Sequence, residues 1–404
     1  MASNPNLTRK TLILAMTEAT NGTDQIDLSS DFTGTGVSSA AFLAFDEINP
    51  LSIDFNVVDT APVRASLTPQ KNLIGRKLVN VRPKTMWMNS PGVDMVNLTD
   101  SDATNYPDGD ASARTADYTN YALSTNTGVS SLDEETSGHA PFFGSLLRAC
   151  GLKQVNAQSA SVVYTPRSSS FETATVHVYA DSLLHKVTGA VGTFTLSGTA
   201  GEGIECQFDL QGNYIAPSSP GLPTVTYPAD LKRLLSFAHN SINPASGGPA
   251  TSGYQGGSSP VRPIIRSFSF DCGVTVTERG DINSSEGLYG LFITDRAPTL
   301  ELVVEVENNL TDSGATPGFN PIVDMANADA HSIVLEHGNT SATQSDSNHE
   351  RTKFTFPEAQ LVDVQYGDDA GIRTYNLSYR LTSVNDDGEF TIEMGNPAAS
   401  GAQS

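Results

Sequence analysis

The stretch Leu300-Glu-Leu-Val-Val-Glu-Val-Glu307 decides the fold class of this chain. Its four even-numbered residues are apolar, whereas three of its four odd-numbered residues are Glu301, Glu305 and Glu307. A β-strand sends alternate side chains to opposite faces of its sheet. The stretch therefore predicts a strand with one packed face and one wet, anionic face.

Alternation of this kind recurs along the chain, between clusters of Gly, Asn and Asp. The other alternating segments are Ile53–Val58, Thr173–Tyr179, Gly192–Leu196, Glu205–Leu210, Pro263–Phe270, Leu361–Tyr366, Arg373–Arg380 and Glu389–Met394. Turn-forming residues at Gly367–Asp369 and Asn385–Gly388 separate consecutive segments and predict hairpins. The whole pattern predicts a mainly β protein with a few short helices.

Helical periodicity is limited to three short segments. The first, Pro141–Cys150, carries an apolar stripe that we expect to pack in a core. The stripe consists of Phe142, Phe143, Leu146 and Leu147. The other two candidate helices are Pro228–His239 and a segment from about Pro321 to Ala328.

Composition excludes several classes of protein. The chain has 404 residues, with 45 Asp and Glu against 23 Lys and Arg, and its formal charge of -22 disfavours a nucleic-acid binder. Three widely spaced cysteines, Cys150, Cys206 and Cys272, fit neither a disulfide framework nor a zinc site and favour a reducing compartment. No apolar run approaches the roughly 18–20 residues needed to span a bilayer. The first residues lack the features of a signal peptide, so we expect no secretion.

The two halves of the chain repeat one order of elements. A shift of 215 positions aligns Val63–Trp87 with Glu278–Leu302, and each segment leads to a polar stretch, a candidate helix and alternating strands. We predict a tandem duplication, with two unrelated β domains as the alternative. The predicted parts are an N-terminal arm (1–50), a first β domain (51–215) with a long polar insertion (89–138), a Pro/Gly/Ser-rich connection with a short helix (216–262), and a second β domain (263–404).

Motifs of catalysis and cofactor binding are missing from the sequence. There is no His-x-x-x-His, Cys-x-x-Cys, Gly-x-Ser-x-Gly, phosphate loop or dinucleotide fingerprint. Asp329, His331, Glu336 and His337 could be combined into a metal site, but solvated loop residues are the favoured interpretation. We therefore expect no enzyme activity, no catalytic residue, no metal and no cofactor.

Acidic residues gather on the wet faces of the predicted strands. Glu205 and Asp209 share one face of their strand, and Glu389 and Glu393 share a face of another. An ordinary solvated face is sufficient to explain the pattern. The functional interpretation is an anionic wall that faces a binding partner which must not adhere. Neighbouring acids on a sheet face repel one another and lower the stability of the fold, so a function that requires repulsion would explain why they are tolerated.

Five segments of the chain, in the same order, resemble the major tail tube proteins of tailed bacteriophages. They are Thr8–Ala15, His139–Gly151, Ser182–Pro217, Ile293–Pro298 and a closing run from Phe356 through Leu361 to Ile372. Within Ser182–Pro217 the resemblance lies in Leu183–Phe194 and Gly203–Tyr214. The chain departs from the family in the length of the loop at 89–138, and its second half lacks the Gly-x-x-Gly-Thr of Gly189–Thr193.

The resemblance implies a β-sandwich with a flanking helix in each half, and subunits that close into rings. It implies that rings stack into a tube through which genomic DNA leaves the virion, and that a duplicated chain forms a trimeric, pseudo-hexameric ring. Partners would be further copies of the chain, passing DNA and other tail proteins, namely the tape measure, the terminator, the baseplate or tip, and a sheath if the tail contracts. Assembly would take place in the host cytoplasm, without a membrane.

The acidic strand faces are consistent with such a tube. An acidic lumen would repel DNA, a polyanion that has to pass through without being bound. We expect the lumen to be lined by some of Glu205, Asp209, Glu301, Glu305, Glu307, Asp363, Glu389 and Glu393. We expect the polar loop 89–138 and the N-terminal arm to contact neighbouring rings and to order on assembly. The loop's acids are Asp94, Asp100, Asp108, Asp110 and Asp117.

Two other classes of protein stay open from the sequence. A capsid decoration or other virion surface protein could use the same duplicated sandwich without a lumen. A carbohydrate-binding or carbohydrate-cleaving β domain would depend on Trp87 or on paired acids. The presence of a single Trp disfavours an aromatic-lined sugar cleft.

Overall fold

A computed structural model describes most of the predicted strands. The described residues are 11–18, 20–24, 26, 41–42, 50–59, 71–89, 143–157, 161–220, 232–233, 237–244, 263–284, 287–306, 319–338, 351–383 and 385–395. Of the predicted features, Glu307, Phe142 and the loop acids Asp94, Asp100, Asp108, Asp110 and Asp117 lie outside them. Among the described residues, neither helix is long and apolar enough to cross a membrane.

The chain is mainly β, as its alternation predicts. The strands are β1 (Thr11–Thr17), β2 (Ala41–Phe42), β3 (Leu51–Val58), β4 (Leu73–Val81), β5 (Lys84–Met86), β6 (Met88–Asn89), β7 (Leu152–Ala157), β8 (Ser161–Pro166), β9 (Ala174–Ala180), β10 (Leu183–Thr199), β11 (Glu205–Tyr214), β12 (Lys232–Arg233), β13 (Phe237–Pro244), β14 (Ile265–Asp271), β15 (Val274–Gly280), β16 (Leu288–Arg296), β17 (Thr299–Glu305), β18 (Ala330–Gly338), β19 (Arg351–Asp369), β20 (Ile372–Thr382) and β21 (Thr391–Gly395). The helices are α1 (Gly144–Ala149) and α2 (Pro321–Asn327).

Strand pairing follows the same plan in both halves of the chain. In the first half, β1 pairs with β9, β9 with β10, β10 with β11, and β11 with β5. In the second half, β13 pairs with β18, β18 with β19, β19 with β20, and β20 with β17. The shift of 215 positions carries Leu73–Val81 onto Leu288–Arg296, which are the bounds of β4 and β16.

The two halves share backbone hydrogen bonds and one hydrophobic core. Strand β14 of the second half pairs with the end of β10, and β21 pairs with β8 of the first half. The Trp87 ring lies 4.8 Å from the Phe143 ring and 5.4 Å from the Phe354 ring, between centroids. The core is therefore continuous across the predicted boundary between the domains.

Both helices form where the sequence places them, but they bury different kinds of side chain. In α1, Leu146 and Leu147 are fully buried beside Phe143, as the apolar stripe predicts. In α2, the side chain of Asn320 accepts a hydrogen bond from the Val323 N–H and caps the first turn. This second helix buries Pro321 and Asp324.

Two local predictions are wrong. The segment Pro228–His239 is not a helix where the structure describes it, since β12 and the start of β13 lie there. Pairing of β13 with β18 overrides the local helical pattern. The turn at Asn385–Gly388 joins β20 to β21 without a hairpin, because β21 pairs with β8 and β19. The hairpin predicted at Gly367–Asp369 forms between β19 and β20, and its turn residues Ala370 and Gly371, both at positive φ, directly follow that cluster.

Part of the predicted N-terminal arm is integral to the first sheet. All of β1 pairs with β9, and its apolar residues Leu12–Ala15 are buried, with Met16 half-buried. The loop after β1 is held by two carboxylates. That of Glu18 accepts hydrogen bonds from Thr175 Oγ1 at 2.9 Å and from the Gly189 N–H at 2.7 Å. That of Asp24 lies 2.9 Å from His177 Nε2 and 2.6 Å from Lys186 Nζ.

Replacing Asp24 by asparagine should remove a pH-dependent contribution to stability. Burial disfavours its charge, but hydrogen bonds from His177 and Lys186 outweigh burial and lower the pKa from 3.8 to about 2. Because the pKa of Asp24 is lower in the folded state than in the unfolded state, its charge stabilises the folded state fully above about pH 4. This contribution to the free energy of unfolding is lost as the pH falls through about 2. We expect Asp24→Asn to cost about 2 kcal/mol at pH 7 and almost nothing near pH 2, by denaturant titration. The exposed control Glu202→Gln should change little at either pH, and an equal loss at both pH values for Asp24→Asn would contradict the assignment.

Candidate functional surface

A polar sheet face runs across both halves of the chain. It spans seven strands in the order β5–β11–β10–β14–β17–β20–β19, joined by antiparallel pairing. The opposite face of these strands is packed, for example through Phe208, Phe270 and Leu302, which are at most 1% exposed. Period-two geometry therefore leaves one wide face to solvent.

Three of the predicted acids lie in a single transverse row of this polar face. Register pairs Glu205 with Ser197, Ser197 with Ser269, Ser269 with Glu301, Glu301 with Ser378, and Ser378 with Asp363. We call these six residues the acid–serine row. Serines separate the carboxylates, which reduces the repulsion that directly opposed acids would cause.

The adjacent row of the polar face mixes charges. Register places Lys84, Gln207, Thr195, Asp271, Thr299, Arg380 and Gln360 side by side. Bases from this part of the sheet neutralise some of the predicted acids. Lys84 Nζ lies 2.8 Å from the Glu205 carboxylate, and Arg82 Nε lies 3.1 Å from that of Asp209.

A third base pairs with Glu305 at the other end of the strands. The Arg266 guanidinium lies 2.8 Å from the carboxylates of both Glu305 and Asp369. The polar face thus differs from the bare anionic wall that the sequence suggests. Among the described residues, the acids on this face outside these ion pairs are Asp271, Glu301, Glu358 and Asp363.

The remaining predicted acids lie elsewhere. Glu389 is half-buried beside Arg296, whose guanidinium lies 2.8 Å from its carboxylate and 3.1 Å from that of Asp387. Glu393 lies on β21, opposite Lys353 of β19 and Val163 of β8. These two acids therefore belong to other surfaces than the acid–serine row.

Side chains that suggested other chemistry are buried. Trp87 is fully buried, and its indole N–H donates to Thr352 Oγ1 at 3.2 Å, so it offers no platform for a sugar. His331 and His337 lie on β18 rather than in a solvated loop, and burial lowers their pKa to about 4 and about 3. No group of three or more His, Cys, Asp or Glu in the described part of the chain could hold a metal ion.

The three cysteines lie in the core, although they are distant in sequence. Cys150, Cys206 and Cys272 are free thiols with no exposed surface. Burial raises the pKa of each thiol, so all three are protonated and unreactive at neutral pH.

Open strand edges bound the polar face on both sides. Within the described residues, the part of β19 from Val362 to Asp369 pairs with β20 on one edge only. On the opposite side, β5 pairs with β11 on one edge only in the part of the chain that the structure describes. The sequence does not reveal these edges, because alternation specifies the faces of a strand and not its neighbours.

Comparison with known proteins finds a partial likeness among solved structures. No protein-family model matches the chain, and no curated protein matches it. Among solved structures, the chain is similar to a subunit of the SPP1 tail tube, determined by solid-state NMR and cryo-EM, with a TM-score of 0.24 and 15% identity over 39% of this chain and 79% of that one. A likeness of this size carries no functional argument, so the function has to be inferred from the residues of the chain itself.

Proposed function

We propose that this chain is a structural subunit of a bacteriophage tail tube. Copies close into rings, the rings stack, and the polar face lines the conduit for DNA. The observation that supports this proposal is the continuity of the polar face across both halves of the chain, through the pairing of β10 with β14. Among the described residues, the face ends in open edges at β19 and β5, so the same kind of junction can recur between copies.

Internal repetition suggests how a ring would close. Strand β19 holds the place in the second half that β10 holds in the first, between the equivalents β18 and β20. The far end of β10 pairs with β14, whereas the corresponding end of β19 is open in the described part of the chain. A strand from a neighbouring copy would extend the sheet there, and three copies would give six repeats around one axis.

The chemistry of the polar face suits a passing polyanion. Ser, Thr, Asn and Gln hydrate the surface without presenting a basic patch, and the bases Lys84 and Arg82 are paired with acids. The carboxylates of the acid–serine row repel phosphate groups, which carry the same sign of charge. Contact with a carboxylate also releases no counterions from DNA, so nothing favours binding. DNA would therefore slide along this face without being held. The role of these residues is electrostatic, and no residue is proposed to be catalytic.

This function places the protein in the virion tail, after assembly in the host cytoplasm. Its main partner is another copy of itself. Terminal rings would meet the tape measure, the terminator, the baseplate or tip, and a sheath if the tail contracts. Genomic DNA would pass through without specific binding, and no cofactor or membrane would be involved.

Electron microscopy and native mass spectrometry of the purified protein would test the proposal. We expect particles of three copies with a central bore and sixfold pseudo-symmetry in end-on views, and stacks of these rings at higher concentration. Monomers at all concentrations would contradict it. Compact oligomers without a bore would instead support a capsid decoration protein.

A further inference from the structure

One edge of β10 is shared by two strands from different halves of the chain. Along this edge β9 pairs with Leu183–Ala190 and β14 pairs with Thr195–Thr199, while β11 occupies the opposite edge. Residues 191–194 separate the two pairings. The course that β10 takes before this gap therefore decides whether its end meets β14.

A β-bulge lies just before the gap. Between Val187 and Val191, β10 has one residue more than β9 and one more than β11. Gly189 lies in the bulge with φ of +62°, a left-handed conformation that glycine adopts without strain. A bulge bends its strand and increases the local twist, so this bulge sets the direction in which β10 continues.

The carboxylate of Glu18, the residue that follows β1, holds the bulge. Glu18 is 8% exposed, and its Oε1 accepts hydrogen bonds from the Gly189 N–H at 2.7 Å and from Thr175 Oγ1 at 2.9 Å. Its Oε2 accepts from the Gly22 N–H at 2.7 Å and from Thr173 Oγ1 at 2.5 Å. A bulge removes an N–H from the strand ladder, and a buried N–H needs another acceptor. One carboxylate thus ties β9 and the loop after β1 to the bulge of β10.

The second half has a similar irregularity without a glycine. Pairing of β19 with β18 and with β20 shifts register between Phe356 and Asp363. The sequence of this segment is Phe-Pro-Glu-Ala-Gln-Leu-Val-Asp. Beyond it, β19 pairs only with β20 among the described residues. The glycine bulge therefore occurs in the half whose long strand makes the junction within the chain.

We infer that Glu18 is a positioning residue, which holds the bulge of β10 so that the end of this strand meets β14. Docking of the N-terminal strand β1 is thereby coupled to the joining of the two halves, although β1 itself pairs with β9. The coupling is a property of the single chain. Its consequence for a tube rests on the proposed function, because the β10–β14 junction makes the polar face continuous.

Amide hydrogen exchange on the full chain tests the coupling. Glu18→Gln keeps the size of the side chain but replaces one acceptor oxygen by an amide nitrogen, which accepts no hydrogen bond. We expect the amides of Thr195–Thr199 and Ser267–Asp271 to exchange about tenfold faster, because hydrogen bonds to a charged acceptor are lost at the bulge. The amides of Ile333–His337, which lie on β18 in the second half, serve as the internal reference and should change less.

Asp24→Asn is the matched control, because Asp24 anchors the same loop through His177 and Lys186 instead of Gly189. It should leave the exchange of Thr195–Thr199 unchanged relative to the internal reference.

Gly189→Ala gives a second readout with Glu18 intact. A Cβ at this position would lie 2.9 Å from Asn21 Oδ1, and alanine is strained at positive φ. This variant should reproduce the selective acceleration at the β10–β14 junction.

Three outcomes separate this inference from the proposed function. Equal acceleration of all amides by Glu18→Gln would overturn the positioning role and leave the proposed function intact. The same holds if Asp24→Asn accelerates the junction selectively. Selective acceleration by Glu18→Gln, with no rings from the unmodified protein, would support the positioning role and overturn the proposed function.

Discussion

Replacing Trp87 by alanine should lower the free energy of unfolding by about 3–5 kcal/mol. The side chain is fully buried, and its ring contacts Phe143 beside α1 and Phe354 on β19. Truncation would remove these contacts, leave a large cavity and break the hydrogen bond to Thr352. Because the ring joins both halves of the chain, we expect the loss to affect them together.

Calorimetry would measure this effect. The unmodified protein should unfold in one main transition, and Trp87→Ala should shift the whole transition to lower temperature. Trp87→Phe keeps an aromatic ring and is the matched control, with an expected loss of about half as much or less. A change below about 0.5 kcal/mol for Trp87→Ala would indicate an exposed side chain and reopen the sugar-binding interpretation.

Reversing the charge of the acid–serine row should convert a non-adhesive surface into one that binds DNA. The variant combines Glu205→Lys, Glu301→Lys and Asp363→Lys. Three changes of +2 each take the formal net charge from -22 to -16. Glu301 is exposed and Asp363 half-buried, so the fold should persist. Loss of the Lys84–Glu205 ion pair should cost less than about 1 kcal/mol.

The measurement is the affinity of purified rings for a short DNA duplex at several salt concentrations. We expect no binding by unmodified rings. The charge-reversed rings should bind at low salt and lose about 10³-fold in affinity between roughly 50 and 200 mM salt. A second variant with Asp59→Lys, Asp295→Lys and Asp386→Lys has the same net charge, with the changes off the polar face. Equal binding by both variants would show that net charge, and not the acid–serine row, sets adhesion.

Local alternation predicted several of the strands and their wet faces, among them β11, β14, β17 and β20. In Leu300–Glu307 it identified the face that carries Glu301 and the buried face that carries Leu302. The stripe of Leu146 and Leu147 likewise predicted α1 and its burial. These features depend on the geometry of a few consecutive residues, which the order of apolar and polar side chains records.

The sequence did not predict which strands pair with one another or which acids and bases come into contact. Nothing near Glu205 shows that it shares a row with Glu301 and Asp363, because that row depends on the register of six strands. The same holds for the bases. Arg82 and Asp209 are 127 positions apart, and only tertiary pairing brings them into contact.

The helix expected at Pro228–His239 fails for a related reason. Its local pattern fits a helix, but Phe237–Pro244 gains a neighbour in β18, and strand pairing outweighs weak local propensity. The burial of Trp87 could not be predicted for the same reason. Nothing near it in the sequence reveals that the Phe354 ring packs against it.

By itself, the sequence determined a mainly β chain with wet acidic faces, because side-chain alternation is a local property of each strand. Tertiary structure alone decided that β10 and β14 join the two halves, that the edges of β5 and β19 stay open among the described residues, and that Glu205, Glu301 and Asp363 align. These are facts of register between distant segments. Register is set by the packing of whole sheets, and alternation within one strand does not encode it.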